Sequence, residues 1–179
     1  MRGARAALKG GNVLIRPAEP SDWEAVRDIR LRSLREEPDA YASDYLTETR
    51  FEPDVWKQRL ATASSQLAFD DDHALVGIAT GLDTGAGDTY VVGMYVAPAA
   101  RGSGCAHQLL DAIVELAVRR QGKRLVLEVA ESNIRALRFY RSYGFVATGR
   151  RRSLGRDPRI IEIEYAYPLP GTRHTSHEP

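Results

Sequence analysis

Two glycines two residues apart, Gly102 and Gly104, stand between an arginine, Arg101, and an amphipathic stretch that begins at Cys105. Such a turn, opening a helix, gathers unpaired backbone N–H groups and about half a positive charge at one point, which suits a phosphate. Arg101 adds a fixed cation at the rim. Glycines also serve ordinary strand-to-helix turns, so the turn alone leaves both readings open. No Gly-Lys-Ser/Thr follows, so the loop is not of the Walker type. A dinucleotide fingerprint could begin at Gly102-Ser103-Gly104, with Glu128 downstream for a ribose. Against it, the third glycine position is His107, and "APAAR" separates the preceding strand from the first glycine.

Other reactive side chains carry less. Cys105 is the one cysteine, so neither an intrachain disulfide nor a cysteine-based metal cluster is available. A thiol at a helix N-terminus has a lowered pKa, but no histidine is placed beside Cys105, and it reads as packing. His174, His177 and Glu178 resemble metal donors, yet the closing "GTRHTSHEP" has almost nothing to bury and no second shell to orient ligands. It reads as a solvated tail (residues 170–179), and no metal is expected.

The elements that must position the turn can be read from periodicity. The chain has 179 residues, 43% apolar and 27% charged, enough for one domain with a sizeable core. A net charge of +1 gives no reason to expect nucleic acid as a partner. No apolar run approaches the roughly 20 residues of a membrane span, and the basic start lacks a secretion core, so a soluble cytoplasmic protein is expected. After a loose N-terminal segment (residues 1–11), "NVLIRPA" reads as a strand. A helix then starts at Ser21, with Glu24 in the capping-box position and Trp23, Val26 and Ile29 on one face, and runs to about Leu34. "EPDVWKQRLATA" reads as a second helix, with Pro53 in its first turn. A hairpin around Asp70–Asp72 follows, then the buried strand "DTYVVGMYVAP". Past Gly104, Ala106, Leu109, Leu110, Ile113, Leu116 and Ala117 make the clearest helical stripe in the chain. "KRLVLEVA" is a strand, "NIRALRFYRSY" a short helix ended by Gly144, and "FVATGRRR" and "IIEIEYAYPL" antiparallel neighbours. The fold class is mixed α/β, with a strand-helix-strand-helix unit at its centre. "GRRRSLGRDPR" reads as a solvated loop before the last strand, with a coenzyme-phosphate or acidic-substrate site as the alternative.

The pattern Arg101-x-x-Gly104-x-Ala106, after a strand and a proline, resembles the coenzyme A signature of the GCN5-related N-acetyltransferases. "ESNIRALRFYRSYGF" is similar to the family's second segment at Asn133, Ala136, Phe139, Tyr140, Gly144 and Phe145. The resemblance spans residues 12–169 and implies a single domain, with a central mixed, mostly antiparallel sheet flanked by helices on both faces. It implies acetyl-CoA as cofactor, a small-molecule amine as acceptor, direct ternary-complex transfer, and homodimerisation as an assembly open to it. A protein N-terminal or lysine acetyltransferase and a non-catalytic acyl-CoA sensor remain as alternatives.

Carried over residue by residue, Met94, Tyr95 and Val96 would meet the pantetheine arm as an added strand does. Arg101, Gly102, Ser103, Gly104, Cys105 and Ala106 would cradle the pyrophosphate. Asn133 and Ala136 would close the other side, with Phe139 along the cofactor. Acyl transfer to an amine expels a thiolate, and a tyrosyl hydroxyl suits its protonation; Tyr140 holds that position. The N–H of Met94 could polarise the thioester carbonyl. Where relatives often carry a glutamate base, six residues before Val96, this chain has Tyr90, with Asp88 two residues earlier. Glu128 and Glu131 are the alternative bases, and a water relay is a further route. The acceptor would lie between the stretches Leu34–Trp56 and Arg150–Arg159, with Tyr41, Tyr45, Trp56, Tyr90 and Asp157 as candidate lining.

Overall fold

The computed structural model of the chain describes residues 13–170. Of the terminal segments read as tails, residues 1–11 and 171–179, His174, His177 and Glu178 among them, lie outside those residues. Seven strands form one sheet: β1 (Leu14–Pro17), β2 (Ser64–Phe69), β3 (Leu75–Asp83), β4 (Asp88–Val96), β5 (Arg124–Ala130), β6 (Val146–Leu154) and β7 (Asp157–Pro168). Their order is β1-β2-β3-β4-β5-β7-β6, and every pairing is antiparallel except β4 with β5. That parallel pair requires a crossover, supplied by the periodic helix after Gly104, α4 (Cys105–Arg119). The other helices are α1 (Trp23–Glu36), α2 (Tyr45–Glu48), α3 (Pro53–Thr62) and α5 (Ile134–Tyr143).

α4 lies on one face of the sheet, its stripe completely buried at Leu109, Leu110, Ile113 and Ala117. β3 gives it room through glycines: a Cβ at Gly77 would come within 3.0 Å of Cys105 Sγ and Leu109 Cδ1. Leu109→Ala should therefore cost about 3 kcal/mol of stability, a melting-temperature fall of roughly 6–12 °C in a domain of this size. A calorimetric scan checks it. α5 joins α4 on that face through rings, His107 meeting Phe139 edge-on at 5.0 Å and Tyr143 donating to Asp111 Oδ1 at 2.7 Å. A smaller cluster of Leu31, Leu34 and Trp56 ties α1 to α3.

Two local expectations are corrected, and one short helix was not expected. α1 begins at Trp23, after a 3-10 turn (Pro20–Asp22). The reciprocal cap is Glu19 with Asp22, because Glu19 N–H donates to Asp22 Oδ2 at 2.7 Å and Arg16 holds the same carboxylate. α2, one turn capped by Asp44 through Thr47 N–H, is too short to show a period in the sequence. The strand expected through Arg152 is present, but the loop expected after it is shorter: Ser153 and Leu154 continue β6, and β7 already begins at Asp157.

Candidate active site

β4 and β5 are in register only at Asp88–Arg124, Thr89–Leu125 and Tyr90–Val126. Beyond Tyr90 they diverge, and the edge of β4 toward β5 has no strand partner. A bulge sharpens the divergence: Ile78 faces Tyr95 and Thr80 faces Val92, so Gly93 and Met94 together oppose Ala79. Gly93 takes φ +61°, with open space where a Cβ would sit. A lone glycine inside an apolar strand is a sequence signal for such a bulge. The wedge opens into a cleft of about 590 Å³, lined by Gly93, Met94, Leu127, Val129 and Ala130 on the sheet side.

The turn before α4 leaves its backbone uncovered. Gly102 (φ +82°) and Gly104 (φ +86°) are both left-handed, a conformation that costs other residues about 1–2 kcal/mol. A Cβ at Gly102 would meet nothing within 4 Å, and at Gly104 only Gln108 Nε2 at 3.9 Å. The space beside the backbone is thus open to a ligand. Ser103 Oγ accepts from Cys105 N–H at 3.3 Å and donates to Ala100 O at 2.8 Å, fixing the turn. Arg101 is engaged instead of standing free at the rim: Nε donates to Val96 O at 3.1 Å, and the guanidinium pairs with Glu37 at 2.9 Å. Arg135 reaches the same Glu37 oxygen, at 2.6 Å, so a bridge joins the turn to α5. Cys105 is 1% exposed, and burial pushes its thiol up to about 11, opposite to the lowering expected at a helix N-terminus. Its packing role stands, since it fills the space against Gly77.

α5 supplies the opposite wall through Asn133, Ala136 and Tyr140. Asn133 Oδ1 accepts from Ala136 N–H at 3.1 Å, capping the helix and leaving the amide's N–H donors uncommitted. Tyr140 is 9% exposed, and burial raises its hydroxyl pKa well above the usual tyrosine value, keeping it protonated. That hydroxyl donates to Met94 Sδ at 3.3 Å, a weak sulfur acceptor. Tyr41 pins the facing strand by donating to Met94 O at 3.1 Å. Phe139 packs against His107 and Tyr140, and Tyr95 turns its side chain to Glu36 at 2.6 Å; neither lines the cleft.

Away from the glycine turn, the sheet face carries a row of polar groups. Pairing sets Glu128 opposite Glu164, Ala130 opposite Glu162, and Glu162 opposite Arg152, so these side chains share the face of Tyr90. Glu128 sits in the cleft; burial raises its pKa, the Arg152 charge lowers it, and the Glu162 and Glu164 charges raise it again. Arg152 bridges Glu128 and Glu162. Glu164 takes Thr148 Oγ1 at 2.8 Å and the Tyr90 hydroxyl at 3.4 Å. The sequence reading missed Glu162 and Glu164; the alternation Ile161-Glu162-Ile163-Glu164 showed a polar face without showing that the face is buried.

A family model for the acetyltransferase (GNAT) family matches residues 23–145, most of the chain, from α1 through the glycine turn and α5, and ends before Arg152, Glu162 and Glu164. The chain belongs to the GNAT acetyltransferase family. Among solved structures, a GNAT acetyltransferase from Streptococcus pneumoniae superposes with a TM-score of 0.76 at 21% identity, over 88% of this chain and 99% of that one. A putative acetyltransferase from Salmonella typhimurium, solved with its cofactor acetyl-CoA, gives 0.71 at 19% identity, over 93% and 98%. Nourseothricin acetyltransferase gives 0.57 at 26% identity, over 61% of this chain and 66% of that one.

As a GNAT acetyltransferase, this chain uses fewer of the expected side chains than its motifs suggested. Asp88 is held by Arg124 through two hydrogen bonds of 3.0 and 2.8 Å at the closed end of the β4–β5 pair, which keeps its pKa low. Glu131 pairs with Arg151 at 2.6 Å, outside the cleft. Tyr45 packs under Arg35 in the α1–α3 cluster, and Asp157 is clasped by Arg159 at 2.8 Å. None of these four lines the cleft, whereas Tyr41, Trp56, Tyr90 and Glu128 do. Among the described residues no group of metal donors gathers, and no helix is long and apolar enough to cross a membrane.

Proposed function

We propose that the protein is an acetyl-CoA-dependent N-acetyltransferase that acetylates a primary amine of a small molecule in a ternary complex. The carrying observation is the β4–β5 wedge, with the open glycine turn at one end and a carboxylate floor at the other. The left-handed Gly102 and Gly104 fit a pyrophosphate, since any side chain there would fill the space it needs. Acetyl-CoA would be held by that turn, by the unpaired stretch of β4 and by Asn133. When bound it supplies an activated acetyl thioester. Met94 and Val96 carbonyls are already taken by Tyr41 and Arg101, so β4 offers its N–H groups to the arm and to the acyl oxygen.

Tyr140 stays protonated at neutral pH and gives its proton to the departing sulfur. Glu128 accepts the proton that the amine must lose; its raised pKa brings it toward the working range of a general base. The carboxylate floor speaks against the sensor reading, because binding coenzyme A alone has no need of it. Enclosure by α1, α3 and the 40–43 loop favours a small acceptor over a peptide. The test is coenzyme A release with acetyl-CoA and a panel of small amines set against N-terminal peptides; turnover of peptides alone would reverse the reading.

Glu128 works as the ionised form, so activity falls as pH drops through its raised pKa. The Arg152 charge lowers this pKa against the effect of burial. Arg152→Ala should accordingly move the acid limb of the kcat/KM profile to higher pH. A limb left unmoved would take Glu128 out of the base role.

A further inference from the structure

Two buried polar atoms without a hydrogen-bond partner belong to residues that line this one cleft: the donor Trp56 Nε1 and the acceptor Glu162 Oε2. Trp56 is 2% exposed and Glu162 7%. An unmet buried polar group costs about 1–3 kcal/mol, so one orphan is notable and a donor–acceptor pair in one cavity asks what satisfies both. Arg152 Nε comes within 3.3 Å of Glu162 Oε2 as an ion pair, without hydrogen-bond geometry.

The charges around the two orphans have opposite signs. On the helical wall, Arg30 and Arg59 both bind the single carboxylate of Glu48, at 2.9 and 3.0 Å, which leaves one positive charge in excess. Arg59 lies over the Trp56 ring at 5.3 Å. On the sheet floor, the carboxylates of Glu128, Glu162 and Glu164 form ion pairs with Arg150 and Arg152, both more than half exposed, while nearby Arg124 is balanced by Asp88, which leaves one negative charge in excess. The lining also has aliphatic side chains, among them Val26, Leu60, Ile78 and Leu82.

We infer that the acceptor is a small zwitterion with an aliphatic body: its ammonium meets Glu162 and Glu128, and its carboxylate or like oxyanion takes the Trp56 N–H beside Arg59 and Arg30. The inference rests on the acetyltransfer reading and narrows its acceptor. A simple alkylamine leaves Trp56 Nε1 unmet, a polyamine puts a second cation against the positive wall, and a peptide N-terminus brings no nearby anion. Glu162 is on this account a specificity residue that holds the amine at the floor where Glu128 takes its proton.

The test is calorimetric titration, with and without coenzyme A, of L-leucine, isoamylamine (the same body without the carboxylate) and 4-methylpentanoate (the same body without the amine). L-leucine should bind at least about tenfold more tightly than either truncated probe. Trp56→Phe, which keeps the ring and removes the N–H, should weaken leucine about tenfold and leave isoamylamine unchanged. Glu162→Gln should weaken leucine and isoamylamine but spare 4-methylpentanoate. The inference is overturned if isoamylamine matches leucine, if Trp56→Phe has no effect on leucine, if a leucine-initiated tripeptide binds better than leucine, or if no probe binds. Coenzyme A binding without probe binding would sink only this inference. Failure of coenzyme A itself would sink the acetyltransfer reading, and the leucine titration without it would still decide the two-ended cleft.

Discussion

Gly104→Asp is expected to weaken acetyl-CoA binding by a hundredfold or more. The open space beside the Gly104 backbone is the proposed place of the pyrophosphate, and aspartate would fill it with a carboxylate. At about 5 Å and an effective dielectric near 20, repulsion between two unit charges is about 3 kcal/mol, enough for roughly a hundredfold. Strain must be separated from charge, because φ is +86° at this position. Gly104→Asn carries the same strain without the charge, and should retain most of the affinity. Calorimetric titration of the two variants, each checked for an intact fold by circular dichroism, decides the matter. Equal affinity in Gly104→Asp and the parent protein would remove the turn from the binding site.

Tyr140→Phe should lower kcat by about 10²-fold or more while leaving the affinity for acetyl-CoA nearly intact. The split follows from position. The ring is buried among Phe139, Phe145 and the cleft wall, and phenylalanine keeps that packing. Only the hydroxyl, bonded to Met94 Sδ, is lost. A loss confined to KM would make Tyr140 a wall of the cleft and not an acid. Steady-state rates over a range of acetyl-CoA concentrations separate the two outcomes.

How much of this was legible in the residues depends on the distance over which each signal acts. Gly104, α4 and Gly144 announce themselves locally, through left-handed turns and a 3.6-residue stripe, and the structure agrees with them. The wedge was half legible: the buried strand at β4 was plain, but its bulge needed the lone Gly93 to be weighed as a break. Glu162 was out of reach, because its burial depends on β7 inserting between β5 and β6, a pairing between segments some 30 residues apart. Asp88 and Glu131 were chosen for proximity in sequence to the motifs. Arg124, opposite Asp88 in the β4–β5 register, and Arg151, reaching Glu131 from β6 across β7, neutralise both. Arg101 shows the converse, since a motif cation turned out to brace the turn against Glu37.

The most direct test of amine acetylation in a ternary complex is the initial-rate pattern of coenzyme A release, varying acetyl-CoA at several fixed concentrations of an amine acceptor. Rates that depend on both substrates, give intersecting double-reciprocal lines and yield the N-acetylated amine are the predicted result. Parallel lines, with an acetyl group recovered on the protein, would mean transfer through a covalent enzyme intermediate and contradict the account. So would coenzyme A release at a rate indifferent to every small amine supplied.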